Sequence, residues 1–399
     1  MALRFLTAGE SHGKALVGIL EGVPAGLALT EADILADLSR RKRGHGRGNR
    51  QKIETDRPQI LSGVRRGLTL GSPIALLIEN LDFKNWEQVM GAEPASGPAG
   101  RAVRVPRPGH ADLTGALKYR FQDMRDVLER SSARETAMRV ALGAVARKLL
   151  KECGVTVASR VTAIGAAKDS SPVPCAVAEL NELADASPVR CTDSDTERRM
   201  VAEIDRAKAE GDTLGGVFEV YAEGLPPGLG SYAQWDRRLE GPLAAAFMSL
   251  NAIKGVEIGL GFESARRQGS MAHDEYAPGD GKVEYKTNRS GGIDGGISTG
   301  QALVIRAAMK PLATLMNPLG SVDLETGAAA KAHVERSDAC AVPAAAVIGE
   351  SLAALVLAGA FLDKFGGDSL EELLPRIEAW RGGLWEGFFG RGKKEKRSR

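Results

Sequence analysis

Strand-like and helix-like segments alternate along this 399-residue chain, which predicts a fold of mixed strands and helices gathered around one site. Three observations support that class. Short apolar runs bounded by turn residues mark strands, and longer runs with apolar residues at helical spacing mark helices. Polar, glycine-rich motifs recur from Gly9 to Asp338, so segments far apart in sequence are expected to meet in a single domain, residues 1–365. Residues 366–399 are expected to form a C-terminal extension whose basic end, 390–399, is disordered.

Residues 3–7 and 15–20 read as strands on either side of Gly9-Glu10-Ser11-His12-Gly13, a tight turn carrying a titratable side chain. The serine lacks the G-x-S-x-G surroundings of a nucleophile elbow. A helix is predicted over 30–40, where Thr30-x-x-Asp33 supplies the cap and Ile34, Leu35 and Leu38 the apolar face. It runs into the basic, glycine-hinged segment 40–50. Strands follow at 60–67 and 73–79, joined by a Gly71-Ser72-Pro73 turn. Residues 82–88 read as an exposed connection and 91–100 as loop.

The stretch 107–150 carries the densest chemistry. Pro108-Gly109 forms a turn before His110 and Asp112, and Lys118, Arg120, Arg125, Arg130 and Arg134 follow closely. Ser131-Ser132-x-x-Glu135 fits a capping box, with a helix behind it through Ala137, Met138, Ala141, Leu142, Val145, Leu149 and Leu150 to a stop at Cys153-Gly154. Arginines at a helix start, with its free amides and positive dipole end, suit an anion such as phosphate. The plainer alternative pairs Arg125, Arg130 and Arg134 with Asp126, Glu129 and Glu135 as a solvated face. The adjoining histidine favours the anion site, because an imidazole with a pKa of ~6.5 can supply a proton near neutrality.

Beyond this stretch, strands are predicted at 155–165, 215–222, 255–261 and 301–308, and helices at 196–211 and 239–250. A polar, proline-containing segment lies between the first strand and the first of these helices. Residues 287–300 form a glycine-rich loop that can approach a ligand closely. Glu335-Arg336-Ser337-Asp338 is expected to open the last helix, whose apolar run 341–362 is broken by Pro343, Glu350 and Ser351 and reads as a core helix rather than a membrane span.

Composition narrows the function classes. With 53 basic and 51 acidic residues the net charge is +2, which argues against a dedicated nucleic-acid binder. The four cysteines are widely spaced, so neither a metal site nor a disulfide framework is indicated. The N-terminus does not resemble a signal peptide, and a reducing cytoplasm is the simplest location. There are 48 glycines, where average usage of ~7% would give about 28. No P-loop or Rossmann fingerprint is present.

Taken in order, GESHG, RRKRGHGRGNRQKIETD at 40–56, RPGHAD at 107–112, LERSSARET at 128–136, GGIDGGISTG, KPLAT and ERSDACAVPAA resemble the chorismate synthase family, over roughly 3–365. The resemblance implies an α+β fold, a β-α-β sandwich with antiparallel sheets around central helices, assembled as a homotetramer. It implies a 1,4-anti elimination of phosphate from 5-enolpyruvylshikimate 3-phosphate to give chorismate, with reduced FMN required and no net redox change. By the family's pattern, Arg41, Arg47, Arg50, Arg107, Arg134 and Arg336 hold substrate anions, and Arg41 and Arg47 also match NADP positions. His12 would be the acid near the leaving phosphate, His110 would protonate or stabilise reduced flavin, and Asp338 would manage the proton at flavin N5. Flavin-binding positions would be Arg130, Ser131, Ser132, Asn251, Ala252, Gly296, Lys310, Pro311, Leu312, Ala313, Thr314 and Arg336. Arg125 is a further contributor. His45 departs from the tyrosine of many members.

The expected ligands are therefore a small phosphorylated substrate and FMN, with NADPH or an external flavin reductase as the source of electrons. Two other classes compete: an RNA-binding protein using 40–50 and the basic tail, and a flavin reductase without a phosphorylated substrate. The basic loop has no aromatic stacking partners of the kind single-strand binders use.

Overall fold

The computed structural model describes residues 3–48, 53–94, 100–385 and 388. Two antiparallel sheets enclose a pair of core helices. The first sheet contains β1 (Arg4–Ala8), β2 (Ala15–Glu21), β3 (Pro58–Ser62) and β4 (Ile74–Glu79), in the order β1-β2-β4-β3. The second contains β5 (Thr156–Ile164), β6 (Ala167–Lys168), β7 (Gly216–Glu223), β8 (Ile253–Ile258) and β9 (Leu303–Met309), in the order β8-β9-β7-β5-β6. Alternation sets which face is buried: Ile74, Leu76 and Ile78 of β4 and Leu303, Ile305 and Ala307 of β9 point into the core.

The helices are α1 (Glu31–Lys42), α2 (Asp112–Tyr119), α3 (Arg125–Ser131), α4 (Thr136–Glu152), α5 (Val177–Ala186), α6 (Ser194–Ala209), α7 (Glu240–Met248), α8 (Val342–Phe365) and α9 (Leu370–Gly383). The first sheet packs on α4, α4 packs on α8, and α8 packs on β5 and β7. α8 is apolar nearly all round, as a helix covered on both sides must be, whereas α4 also carries Arg139, Arg147, Lys148, Lys151 and Glu152. They approach closely at Gly143, where a Cβ would lie 2.3 Å from Ser351 Cβ. The length and apolarity of α8 would suffice to cross a membrane, but most of it is buried between α4 and the second sheet.

Several sequence expectations are corrected here. The capping box at Ser131–Glu135 does not form. Ser131 Oγ donates back to Val127 O, Ser132 accepts from the Arg134 amide, and Glu135 is taken by Arg139 at 3.0 Å. The chain therefore breaks between α3 and α4 at a 3-10 turn, Ala133–Glu135. The final helix begins at Val342 rather than at Glu335, with Pro343 in its first turn, where a missing amide costs little. Residues 82–88 are not an exposed connection: Asp82 and Trp86 are buried. The polar segment after β5 contains α5, and the run read as one strand over 60–67 divides into β3 and a small hairpin, Val64–Arg65 with Leu68–Thr69, turned by Arg66 and Gly67 at positive φ. In the extension, α9 inserts Leu373 and Ile377 into the main core, while the basic end lies outside the described residues.

Candidate active site

The breaks and turns just described open onto one cavity of about 420 Å³. The β1–β2 turn, the end of α1, the 107–112 turn, the α3–α4 break, the α7–β8 turn, the segment after β9 and the strap 335–338 all line it.

The first cluster in its wall centres on His12, whose ring packs on Trp86 at 3.9 Å and 20°. Glu129 of α3, fully buried, accepts from both the amide and Nδ1 of His12 at 2.7 and 2.9 Å. Burial would raise the Glu129 carboxyl, but hydrogen bonds from His12 and Arg125 outweigh it and hold the group below the usual carboxylate range. Arg125 also reaches Glu335 at 3.1 Å. Burial acts likewise on Glu335, but its contacts with His333 and Arg125 bring it down to about 2.

The second cluster is the RPGHAD turn. Asp112, at the start of α2 and fully buried, accepts from Arg107 Nε at 2.8 Å, Arg107 Nη2 at 3.0 Å and His110 Nδ1 at 2.6 Å. Arg107 Nη1 donates to Thr314 at 2.7 Å, tying this turn to the segment after β9. Because Asp112 takes Nδ1–H, Nε2 is the basic nitrogen of neutral His110.

The third cluster gathers cations. The capped helix α1 delivers Arg41 from its last turn into the protein, where it donates to Thr136 Oγ1 at 2.9 Å and to Ala133 O. Burial lowers its pKa to about 10, Arg47 and Arg134 push the same way, and Asp56 opposes them. Arg134 bonds Asn80 and Asp56, and Arg47 donates to Asp338 at 2.6 Å, whose other oxygen accepts the Gly48 amide. Asp56 stands at positive φ, buried between Arg134 and Arg41, and is held below its ordinary range because both arginines outweigh its burial. Among the described residues, Arg47 Nε, Arg134 Nη2 and Asn251 Oδ1 are buried without a hydrogen bond. Such groups are costly unless a ligand completes them.

Most of the residues singled out from the sequence line this one cavity: His12, Arg41, Arg47, Arg107, His110, Ser131, Ser132, Arg134, Asn251, Ala252, Lys310–Thr314, Arg336 and Asp338. Two lie elsewhere. Arg130 turns away to donate to Thr7 O and Gly9 O, and Gly296 sits in a hairpin where its carbonyl accepts from Leu239. Arg50 lies outside the described residues. Sequence reasoning passed over Trp86 and the acids Glu54 and Asp56; Ile53-Glu54-Thr55-Asp56, directly after the basic loop, was the available signal.

The family profile described as chorismate synthase matches residues 3–362. The chorismate synthase of Alkaliphilus metalliredigens is 56% identical over 93% of this chain and 97% of its own. That of Bacillus subtilis is 51% identical over 95% and 98%. The chain belongs to the chorismate synthase family. A crystal structure of a chorismate synthase superposes with a TM-score of 0.78 at 42% identity, covering 97% of this chain and 99% of that one. The two-sheet sandwich around α4 and α8 is thus the family's fold. The basic segment that suggested RNA binding does not lie on the surface as a run: the Arg40, Arg41 and Arg47 side chains are 12%, 5% and 10% exposed, each with an acidic partner.

Proposed function

We propose that this cavity catalyses the 1,4-anti elimination of phosphate from 5-enolpyruvylshikimate 3-phosphate, giving chorismate with reduced FMN bound and no net redox change. The observation that carries this reading is the set of buried guanidiniums, with Arg47 Nε lacking a hydrogen bond and Arg134 Nη2 held only by a 3.5 Å ion pair to Glu54, beside two histidines each fixed by a buried carboxylate. A substrate with one phosphate and two carboxylates needs such a surface, since Arg presents paired donors to planar anions.

Arg41, Arg47, Arg107 and Arg134 bind and orient the anions, and Arg336 closes the mouth. His12 holds a proton for the departing phosphate oxygen. His110, aligned by Asp112, supplies the second acid–base group, and Asp338, gripped by Arg47 and the Gly48 amide, is the acceptor opposite. Ser131, Ser132, Asn251, Ala252, Lys310–Thr314 and Arg336 fit FMN. They combine a buried Asn251 Oδ1 without a hydrogen bond, the left-handed Ala252 turn and two cationic side chains in the lining of the cavity. Reduced FMN held by these residues would supply an electron-rich ring to the reaction.

The working unit in this reading is a cytoplasmic homotetramer in the shikimate pathway. Arg41 and Arg47 are the positions through which NADPH would reduce the flavin. The test is anaerobic incubation of protein, FMN and 5-enolpyruvylshikimate 3-phosphate, first photoreduced and then with NADPH replacing light. Chorismate in the first arm supports the lyase, and chorismate in the second makes the chain its own flavin reductase. Flavin-loaded protein that makes no chorismate in either arm defeats the proposal.

A further inference from the structure

We propose that Glu129 and Trp86 are positioning residues for His12, holding its imidazole in one orientation with hydrogen on Nδ1, so that Nε2 is the ring nitrogen that serves the departing phosphate. The proposal deepens the function proposed above and rests on it.

Glu129 grips one residue at two points. Its Oε2 accepts the His12 amide at 2.7 Å, and both of its oxygens lie within 3.1 Å of Nδ1. The backbone carbonyl of Glu129 also accepts the Ser11 amide at 2.9 Å. The turn and the ring are therefore fixed to α3 together. A carboxylate that stays ionised can only accept, so Nδ1 must carry hydrogen. His12 lines the cavity and Glu129 does not, so the proposal assigns Nε2, the ring nitrogen not engaged by Glu129, to the reaction.

Trp86 fixes the plane. It is buried, its Nε1 donates to Asp82 at 3.3 Å, and its face covers His12 at 3.9 Å.

Other charges surround the pair. Arg101 and Arg125 lie 4.2 and 5.0 Å from the Trp86 ring centre and oppose a further positive charge. Glu335 draws on Arg125, and Asp82 binds Arg336 at 3.0 Å. Glu54, Arg47, Arg134 and Asp338 line the same cavity. The carboxylate in direct contact with Nδ1 is the group that fixes which ring nitrogen carries hydrogen.

The test is 15N NMR of the histidine ring nitrogens in the full-length protein without substrate or FMN, with His12 assigned through His12→Gln. Wild-type His12 is expected to carry hydrogen on Nδ1 in a single ring environment. Glu129→Ala should lose that preference and average the two neutral tautomers, and Trp86→Leu should weaken it. With substrate, Glu129→Ala should lower kcat by ~10-fold or more with KM within ~3-fold, because the acid is no longer held in place while the anion clamp stays. Glu129→Asp should restore part of both the ring signal and kcat. A wild-type ring with hydrogen on Nε2 alone, or an unchanged Nδ1 preference and kcat in Glu129→Ala, overturns the proposal. If near-UV circular dichroism shows that Glu129→Ala does not fold, an unchanged ring signal in Trp86→Leu overturns it instead. Wild-type protein without lyase activity contradicts the proposed function, whereas the substrate-free ring signals still judge the positioning.

Discussion

Asp112→Asn is the perturbation whose consequences the structure defines best. Asp112 is fully buried and accepts from the Arg107 amide at 3.2 Å, from Arg107 Nε and Nη2 at 2.8 and 3.0 Å, and from His110 Nδ1 at 2.6 Å. Asparagine keeps the shape but removes the charge and turns an NH2 toward donors. Arg107, itself buried, would then lack its counter-ion, a loss that costs about 3–5 kcal/mol. The pH dependence has a definite sign. Burial raises the Asp112 carboxyl, yet hydrogen bonds from His110 and Arg107 outweigh it and hold the group well below the usual range. Its stabilisation is therefore complete above the unfolded value of ~3.9 and is lost as pH falls toward the lower folded value. Denaturant unfolding followed by tryptophan fluorescence, at one protein concentration, should show a gap between wild type and variant that is present at neutral pH and narrows below about pH 4. A gap under ~0.5 kcal/mol at pH 7, or one that widens in acid, would refute the reasoning.

Three further outcomes follow from the same geometry. His110→Ala should keep the fold, since the side chain is partly exposed, and slow chorismate formation by ~100-fold; near-wild-type turnover would remove His110 from the chemistry. Arg336→Ala and Arg134→Ala should differ in kind. The Arg336 side chain is 53% exposed, so its loss should raise apparent KM with ~1 kcal/mol or less of destabilisation. Removing the buried Arg134 strands Asp56 and should cost about 3–5 kcal/mol as well as affinity, measured by paired unfolding and steady-state experiments. Gly143→Ala should destabilise by ~1–3 kcal/mol, because its Cβ would meet Ser351 Cβ at 2.3 Å, and Ser351→Gly in the same chain should recover most of the loss in thermal unfolding.

Legibility in the sequence followed the range of the forces involved. Local rules read α1 and its Thr30–Asp33 box correctly, along with the helical stop at Gly154 and most strands, because caps and alternation are set by neighbours in the chain. The failures lie where distant partners decide. Ser132 and Glu135 fit a capping box, but Arg139 captures the glutamate. Trp86 looked exposed in a polar stretch, yet His12 covers it. The helix expected at Glu335 starts later because Glu335 is bound by Arg125 and Asp338 by Arg47. The site was legible as a list of residue types, from motifs spread over the chain and from the resemblance they carry. Its pairing was not. That Glu129 serves His12, Asp112 serves both Arg107 and His110, and Asp56 separates Arg134 from Arg41 follows only once the sheets and core helices are assembled.

The most direct measurement of the central claim is the stoichiometry of anaerobic turnover with photoreduced FMN and excess 5-enolpyruvylshikimate 3-phosphate, following chorismate absorbance, phosphate release and the flavin spectrum together. The account predicts one phosphate per chorismate over many turnovers, with the flavin still reduced at the end and no product from oxidised FMN. Flavin oxidised in proportion to product, or equal rates with oxidised FMN, would contradict it.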